Sequence, residues 1–360
     1  MIIDKDLAIL ADDIKDKGIV NSKIVITGST GLLGSVFAKG FLVANQKYGL
    51  NNTIFALARN EEKAYEILGG VDDAHLKIKK YQIKEPINID EDVDHVYHFA
   101  AVTSSKDMVT YPAELIESTM YGIFNILNFA KEHNANNVVF MSTMETFGIA
   151  KDQTKRLAEK DLGYLDLTSV RSSYPESKRL AENYCTCYAK EYGLNVKIAR
   201  LTQTFGAGAK YDDARVFGMI ARSVVENKDI ILLSKGDLAR DYCYTTDALN
   251  AVLHIAQFGE SGEVYNVANE NTQTNVYDMC KMVAREFTND EIKVRIEIPA
   301  DVASRGFSPA SITKLDTKKL QTLGWKPKFN LKDMYGRLIE SYREQTASKD
   351  KEGEKQLEKN

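Results

Sequence analysis

The hydrophobic pattern changes period several times along the chain. In MIIDKDLAILADDIKDKG (1–18) apolar pairs alternate with acids at helical spacing, whereas KIVIT (23–27) is a short apolar run of the kind that forms a buried strand. Helical spacing returns from Leu32 to Val43, and NTIFALARN (52–60) predicts a second strand. DHVYHFAAVTSS (94–105) predicts a strand running into small residues. IFNILNFAKEHN (123–134) has the pattern of an amphipathic helix, and NNVVFMSTMETFG (136–148) that of a strand with an abrupt end. RSSYPESKRLAENYC (171–185) predicts a helix with Pro175 in its first turn and Ser172 or Ser173 as its cap. Strands alternating with helices predict an α/β fold built on a parallel, doubly wound sheet.

Composition adds little to this picture. With 360 residues, 44% hydrophobic and 27% charged, the chain has ordinary globular composition and can bury a large core. A net charge of −4 gives no reason to expect nucleic acid as a partner. No apolar run approaches membrane-spanning length, so no membrane is expected. The first residues lack the basic end and long apolar stretch of a signal peptide, which points to the cytoplasm. Cys185, Cys187, Cys243 and Cys280 form no disulfide or zinc pattern, and the five histidines show no ligand spacing. No catalytic metal is expected.

The glycines of KIVITGSTGLLG (23–34) do change the picture. Gly28, Gly31 and Gly34 follow the first strand and open the first helix of the alternating pattern. Glycine at the first position permits a tight turn, at the second it lets backbone approach a pyrophosphate, and at the third it lets helix pack on strand. Thr30, Leu32 and Leu33 complete this loop, and the helix N-terminus offers free N–H groups to phosphate. The second strand ends at Ala58 and Arg59, without the acid that usually meets the ribose 2′-hydroxyl of NAD. Arg59 could meet a 2′-phosphate instead, so the cofactor expected is NAD or NADP. Ala100 and Ala101 would let it lie against the backbone.

Tyr174 and Lys178 lie four residues apart on one helix face. A free phenol has a pKa of about 10 and is a poor base at neutral pH. Lowering it by about three units takes roughly 4 kcal/mol. A cation at about 4 Å supplies that order of energy at an effective dielectric near 20. Ser142, Thr143 and Glu145 close the strand some thirty residues earlier.

Together TGSTGLLG, HFAA, STMETFG, YPESK, RDYCYTTDAL and VYNVAN resemble the extended short-chain dehydrogenase/reductase family, specifically its nucleotide-sugar epimerases, dehydratases and decarboxylases. The resemblance runs from about residue 22 to 343 and is nearest to the UDP-glucuronate decarboxylases. It implies a Rossmann-type domain over 21–200 with a smaller α/β substrate domain over 201–345, the two interleaved. An N-terminal extension (1–20), of unassigned role, and a mobile charged tail (346–360) would flank them. It further implies a tightly bound nicotinamide cofactor, contacted by Ser142, Tyr174 and Lys178 as well as by the glycine loop. Thr143 and Tyr174 would contact the sugar's C4 hydroxyl, and Lys178 would hold the nicotinamide ribose and lower the tyrosine pKa. Ser104, Gln203, Arg215 and Arg240 would bind the nucleotide sugar, the arginines gripping the nucleotide or its diphosphate. A homodimer through 113–133 and 174–192 is expected, as is a place in polysaccharide biosynthesis.

Oxidation at C4 opens three fates: decarboxylation, loss of water across C5–C6, or reduction on the other face to a 4-epimer. Many 4,6-dehydratases carry Asp-Glu after the threonine, and here Met144, which cannot donate a proton, replaces that Asp. Thr143-Met144-Glu145 is nearer to the decarboxylases and to GDP-mannose 4,6-dehydratase. Decarboxylation is therefore the leading expectation, with dehydration and epimerisation as alternatives. A reductase consuming NADPH and a non-catalytic cofactor-binding regulator are the further alternatives. Gln203, Thr119 and Gln82 depart from the family's pattern, which leaves the base and sugar open.

Overall fold

The structure is a computed structural model that describes residues 1–72, 74–300 and 312–357. Its first half runs α1 (Ile2–Asp16), β1 (Lys23–Thr27), α2 (Leu32–Tyr48), β2 (Thr53–Ala58), α3 (Glu61–Leu68), β3 (Leu76–Lys80), β4 (His95–His98), α4 (Ser105–Thr110), α5 (Pro112–Glu132), β5 (Asn137–Thr143), α6 (Ser173–Tyr192) and β6 (Val196–Leu201). The second half runs β7 (Gln203–Phe205), α7 (Val216–Val225), β8 (Ile230–Leu232), β9 (Ala239–Tyr244), α8 (Thr245–Phe258), β10 (Val264–Val267), β11 (Asn269–Asn275), α9 (Val276–Thr288), β12 (Val294–Ile296), β13 (Ile312–Thr313), α10 (Lys318–Thr322) and α11 (Leu331–Leu357).

Among the described residues the main sheet has seven strands in the order β10-β6-β5-β4-β1-β2-β3. Every pairing in it is parallel, as the expected doubly wound fold requires. Strands β1, β2 and β5 read as near-continuous apolar runs because helices cover both faces, whereas β3 at the edge is rich in lysine and more exposed. One face packs against α1, α2 and α8 around Phe37, Phe41 and Leu249, and the other against α5 and α6 around Ile126, Leu127 and Ala181. Strand β10 returns from the second half, so the two parts interleave. The smaller part centres on β9, which pairs with β7, β11 and β13, and its core joins α7, α9 and α11 around Phe217, Met279 and Leu338. No helix among the described residues is long and apolar enough to cross a membrane.

Strand order reverses between β1 and β4, which opens a crevice at the carboxyl ends of the strands. Thr27, Ala58, His98 and Thr143 are the last residues of β1, β2, β4 and β5, so every motif that follows them faces that edge.

Local expectations differ from the structure at four places. Helix α2 runs past residue 43 to Tyr48, where Gly49 ends it in a left-handed conformation at φ 64°. Helix α5 begins at Pro112 rather than 123, with the proline in its first turn. Neither serine caps α6 with its side chain, because a 3-10 turn (Val170–Ser172) feeds directly into the helix. The charged tail expected to be mobile from 346 continues α11 through Leu357, in keeping with the helix propensity of Lys, Glu and Gln.

Candidate active site

The glycine loop forms a cradle in which two positions, Gly28 and Gly34, admit no side chain. Gly28 has φ 65°, and a Cβ there would lie 2.7 Å from the Ala100 backbone nitrogen. A Cβ on Gly34 would run into the Gly28 carbonyl, so helix α2 can sit against the turn only with glycine there. At Gly31, by contrast, the nearest atom to such a Cβ is the Gly28 oxygen at 3.3 Å. Gly31 caps α2 without a side-chain hydrogen bond, which leaves the first N–H groups of the helix free for an anion. Thr30, Leu32 and Leu33 belong to the same turn and first helical residues, and Ala100 and Ala101 form the opposite wall. This geometry fits a dinucleotide pyrophosphate. Arg59 follows the last residue of β2 and is exposed.

Strand β5 and helix α6 bring the reactive groups together. Tyr174 is buried, and Thr143, the last residue of β5, lies beside its phenol. Burial pushes the phenol well above its ordinary pKa; the Glu145 carboxylate pushes the same way, while Thr143 and the Arg171 guanidinium oppose it. The Lys178 ammonium donates to the Met141 carbonyl at 2.9 Å and sits 4.5 Å from the centre of the Phe140 ring, so it is directed to the β5 backbone rather than to the phenol. Burial lowers Lys178 to about 8, and the Glu182 carboxylate counteracts the fall.

Glu145 lies in the 3-10 turn that follows β5, where its backbone N–H donates to the Thr143 hydroxyl at 3.2 Å. Its carboxylate is paired with Arg171 at 2.7 Å. Arg240, on β9, feels both Glu145 and Arg171, and its Nε is buried without a hydrogen-bond partner among the described residues. Met144 packs into an apolar cluster with Phe147, Leu157 and Leu315, and its sulfur accepts from Thr202 at 3.2 Å. No acid occupies that position.

Other expected residues have structural partners. Ser142 donates its hydroxyl to Glu182 at 2.5 Å. Ser104 caps α4 by accepting from the Asp107 N–H at 3.3 Å. Arg215 grips Asp213 through Nε and Nη2 at 3.0 and 2.6 Å and lies over the Phe217 ring. Gln203 opens β7 opposite Tyr242, half-buried. Sequence reasoning assigned no role to Arg171, although it stands three residues before Tyr174 in the turn leading into α6. Glu182 and Arg200, which lie beneath Lys178 and Ser142, were also unassigned.

A dinucleotide cradle at a strand-order reversal, with a buried tyrosine and lysine beside it, defines a nicotinamide-dependent oxidoreductase-type site. Residues 24–268 match the NAD dependent epimerase/dehydratase family, and the chain belongs to that family. Among known proteins it is similar to UDP-glucuronic acid decarboxylase 6 of Arabidopsis thaliana, with 26% identity over 90% of this chain and 89% of that one. Its fold is similar to that of DesIV, a dTDP-glucose 4,6-dehydratase from Streptomyces venezuelae solved with NAD and TYD bound (TM-score 0.73, 18% identity, 89% of this chain and 97% of that one). It is also similar to UDP-glucuronic acid 4-epimerase from Bacillus cereus in complex with UDP-glucuronic acid and NAD (TM-score 0.72, 18% identity, 89% and 99%). The cofactor of the family is NAD.

Proposed function

We propose that the protein decarboxylates a nucleotide-linked uronate, with UDP-glucuronate the first candidate, after oxidation of the sugar at C4. The observation that carries this reading is the Nε of Arg240, which is buried and has no hydrogen-bond partner among the described residues, within electrostatic range of the Glu145–Arg171 pair. A guanidinium donor left open there suits a carboxylate of the substrate. The decarboxylase relatives support the same choice.

The glycine cradle would hold NAD, which when bound would supply a hydride acceptor for C4 and a donor for the later reduction, so that none would be consumed. Tyr174 takes the proton of the C4 hydroxyl, and Thr143 hydrogen-bonds the same oxygen. The C4 ketone lies β to the C6 carboxylate. The C5–C6 bond then breaks, its electron pair moves toward the C4 oxygen, carbon dioxide leaves, and a proton is added at C5. Arg171 and Arg240 hold the carboxylate in line for that cleavage. Met144 offers no proton to a leaving C6 hydroxyl, which disfavours dehydration.

Lys178 holds the cofactor ribose in this reading, and Ser104, Gln203 and Arg215 line the nucleotide-sugar path, Arg215 exchanging Asp213 for phosphate. The protein acts as a homodimer through α5 and α6, where Ile116, Tyr121 and Leu180 are exposed. The setting that goes with such a substrate is the cytoplasm and polysaccharide biosynthesis. Mass spectrometry of products from UDP-glucuronate, GDP-mannose and UDP-glucose, each with NAD and with NADP, tests the reading. Loss of carbon dioxide from UDP-glucuronate alone is the expected result. Loss of water from a hexose, an unchanged mass with inverted C4, or stoichiometric consumption of NADPH would each replace it.

A further inference from the structure

Beneath Lys178 three side chains from three elements close a buried network. Glu182, one helical turn beyond Lys178 on α6, receives Arg200 of β6 in a two-pronged grip, Nε to Oε1 at 2.9 Å and Nη2 to Oε2 at 2.6 Å. Ser142 of β5 donates to the same Oε1 at 2.5 Å. Ser142, Glu182 and Arg200 are 5%, 5% and 3% exposed, and Lys178 is 2% exposed. Arg200 also donates to the Glu159 carbonyl at 2.6 Å and lies over the Phe147 ring, in the turn that carries Glu145.

Both oxygens of this buried carboxylate are engaged by charged or polar donors, which replace its water. It is also an opposite charge placed within reach of a desolvated ammonium. The remaining groups around Lys178 supply no second anion: His98 of β4 is held neutral by burial, pushed down to about 3, and Cys185 is a buried thiol pushed well above its ordinary value. The Tyr174 phenol, on the same helix, is pushed up by burial.

We propose that Glu182, fixed by Ser142 and Arg200, is a positioning residue that keeps Lys178 cationic at neutral pH. Only the task given to Lys178 rests on the proposed function; the titration of its amine does not. Carbon-13 NMR of the intact protein labelled at lysine Cε, with Lys178→Arg used to assign the resonance, reads that titration directly. Glu182→Gln is expected to lower the Lys178 midpoint by about one pH unit or more. The double variant E182Q/R200M, which buries no unpaired charge, is expected to do the same, and Glu182→Asp to lie between it and the wild type. The alkaline side of the pH–kcat profile should narrow in E182Q on the same scale. An unchanged Lys178 midpoint in either folded variant would overturn the proposal. A shifted midpoint without any turnover of UDP-glucuronate would leave it standing and count against the decarboxylase reading alone.

Discussion

At the scale of residues, the site depends on where each side chain is directed more than on which residues are present. Tyr174→Phe keeps the ring and removes the phenol oxygen that serves as the base in the proposed reaction. Product formation from UDP-glucuronate, followed by mass spectrometry, should fall by about 10²–10⁴-fold, with NAD binding retained in calorimetry. Gly34→Ala should do the reverse: the added methyl meets the Gly28 carbonyl, and NAD should no longer stay with the protein through gel filtration. The glycine cradle, Thr143, Tyr174 and Lys178 were legible because local spacing fixes which face of a strand end or helix they occupy. Lys178 acting on the Met141 carbonyl, and Arg171 on Glu145, were not legible. Those partners depend on how α6 rests against β5, which no local pattern encodes.

At the scale of elements, the strands and helices read from periodicity in the first half are present with shifted ends, whereas α3, β3, α4 and β6 were not read from it. The role of α1 did not follow. Its apolar face buries Leu7, Leu10, Ala11 and Ile14, with Leu10 filling the space left by Gly40 of α2. Asp6, 1% exposed, accepts from Tyr244 at the end of β9 at 2.5 Å and from Arg337 of α11 at 3.0 Å. These partners lie 238 and 331 residues away, beyond the reach of any sequence pattern. The helix thus ties the cofactor-binding α2 to the second part of the molecule. Asp6→Ala leaves the Arg337 guanidinium without its carboxylate and should cost about 3 kcal/mol in urea unfolding. Leu10→Ala should cost roughly 2–5 kcal/mol. A change under ~0.5 kcal/mol in both would show that α1 is not integral to the fold.

At the scale of the whole molecule, buried ionisable groups set how stability responds to pH. Lys197, on β6, donates to Asn137 Oδ1 at 2.7 Å and to the Ala256 carbonyl at 3.1 Å, and burial lowers it from 10.5 to about 8. Between those values the unfolded chain binds the extra proton, so this group's contribution to stability rises with pH from about 8 to 10.5. Asp241 and Asp247 run the other way: burial raises both from 3.8 to about 6. The folded chain then binds more protons across that window, and their contribution falls as pH climbs through it. Thermal melts should therefore show the difference between wild type and Lys197→Met growing in favour of wild type above pH 8. Asp247→Asn should flatten the decline between about pH 4 and 6. The central claim concerns the reaction, and one measurement reaches it most directly. UDP-glucuronate labelled with carbon-13 at C6 is incubated with the protein and NAD, and the released gas is analysed against a Tyr174→Phe control. Labelled carbon dioxide, equimolar with a nucleotide pentose and absent from the control, is the predicted result. Retention of the label in a six-carbon sugar, whether epimerised or untouched, would contradict it.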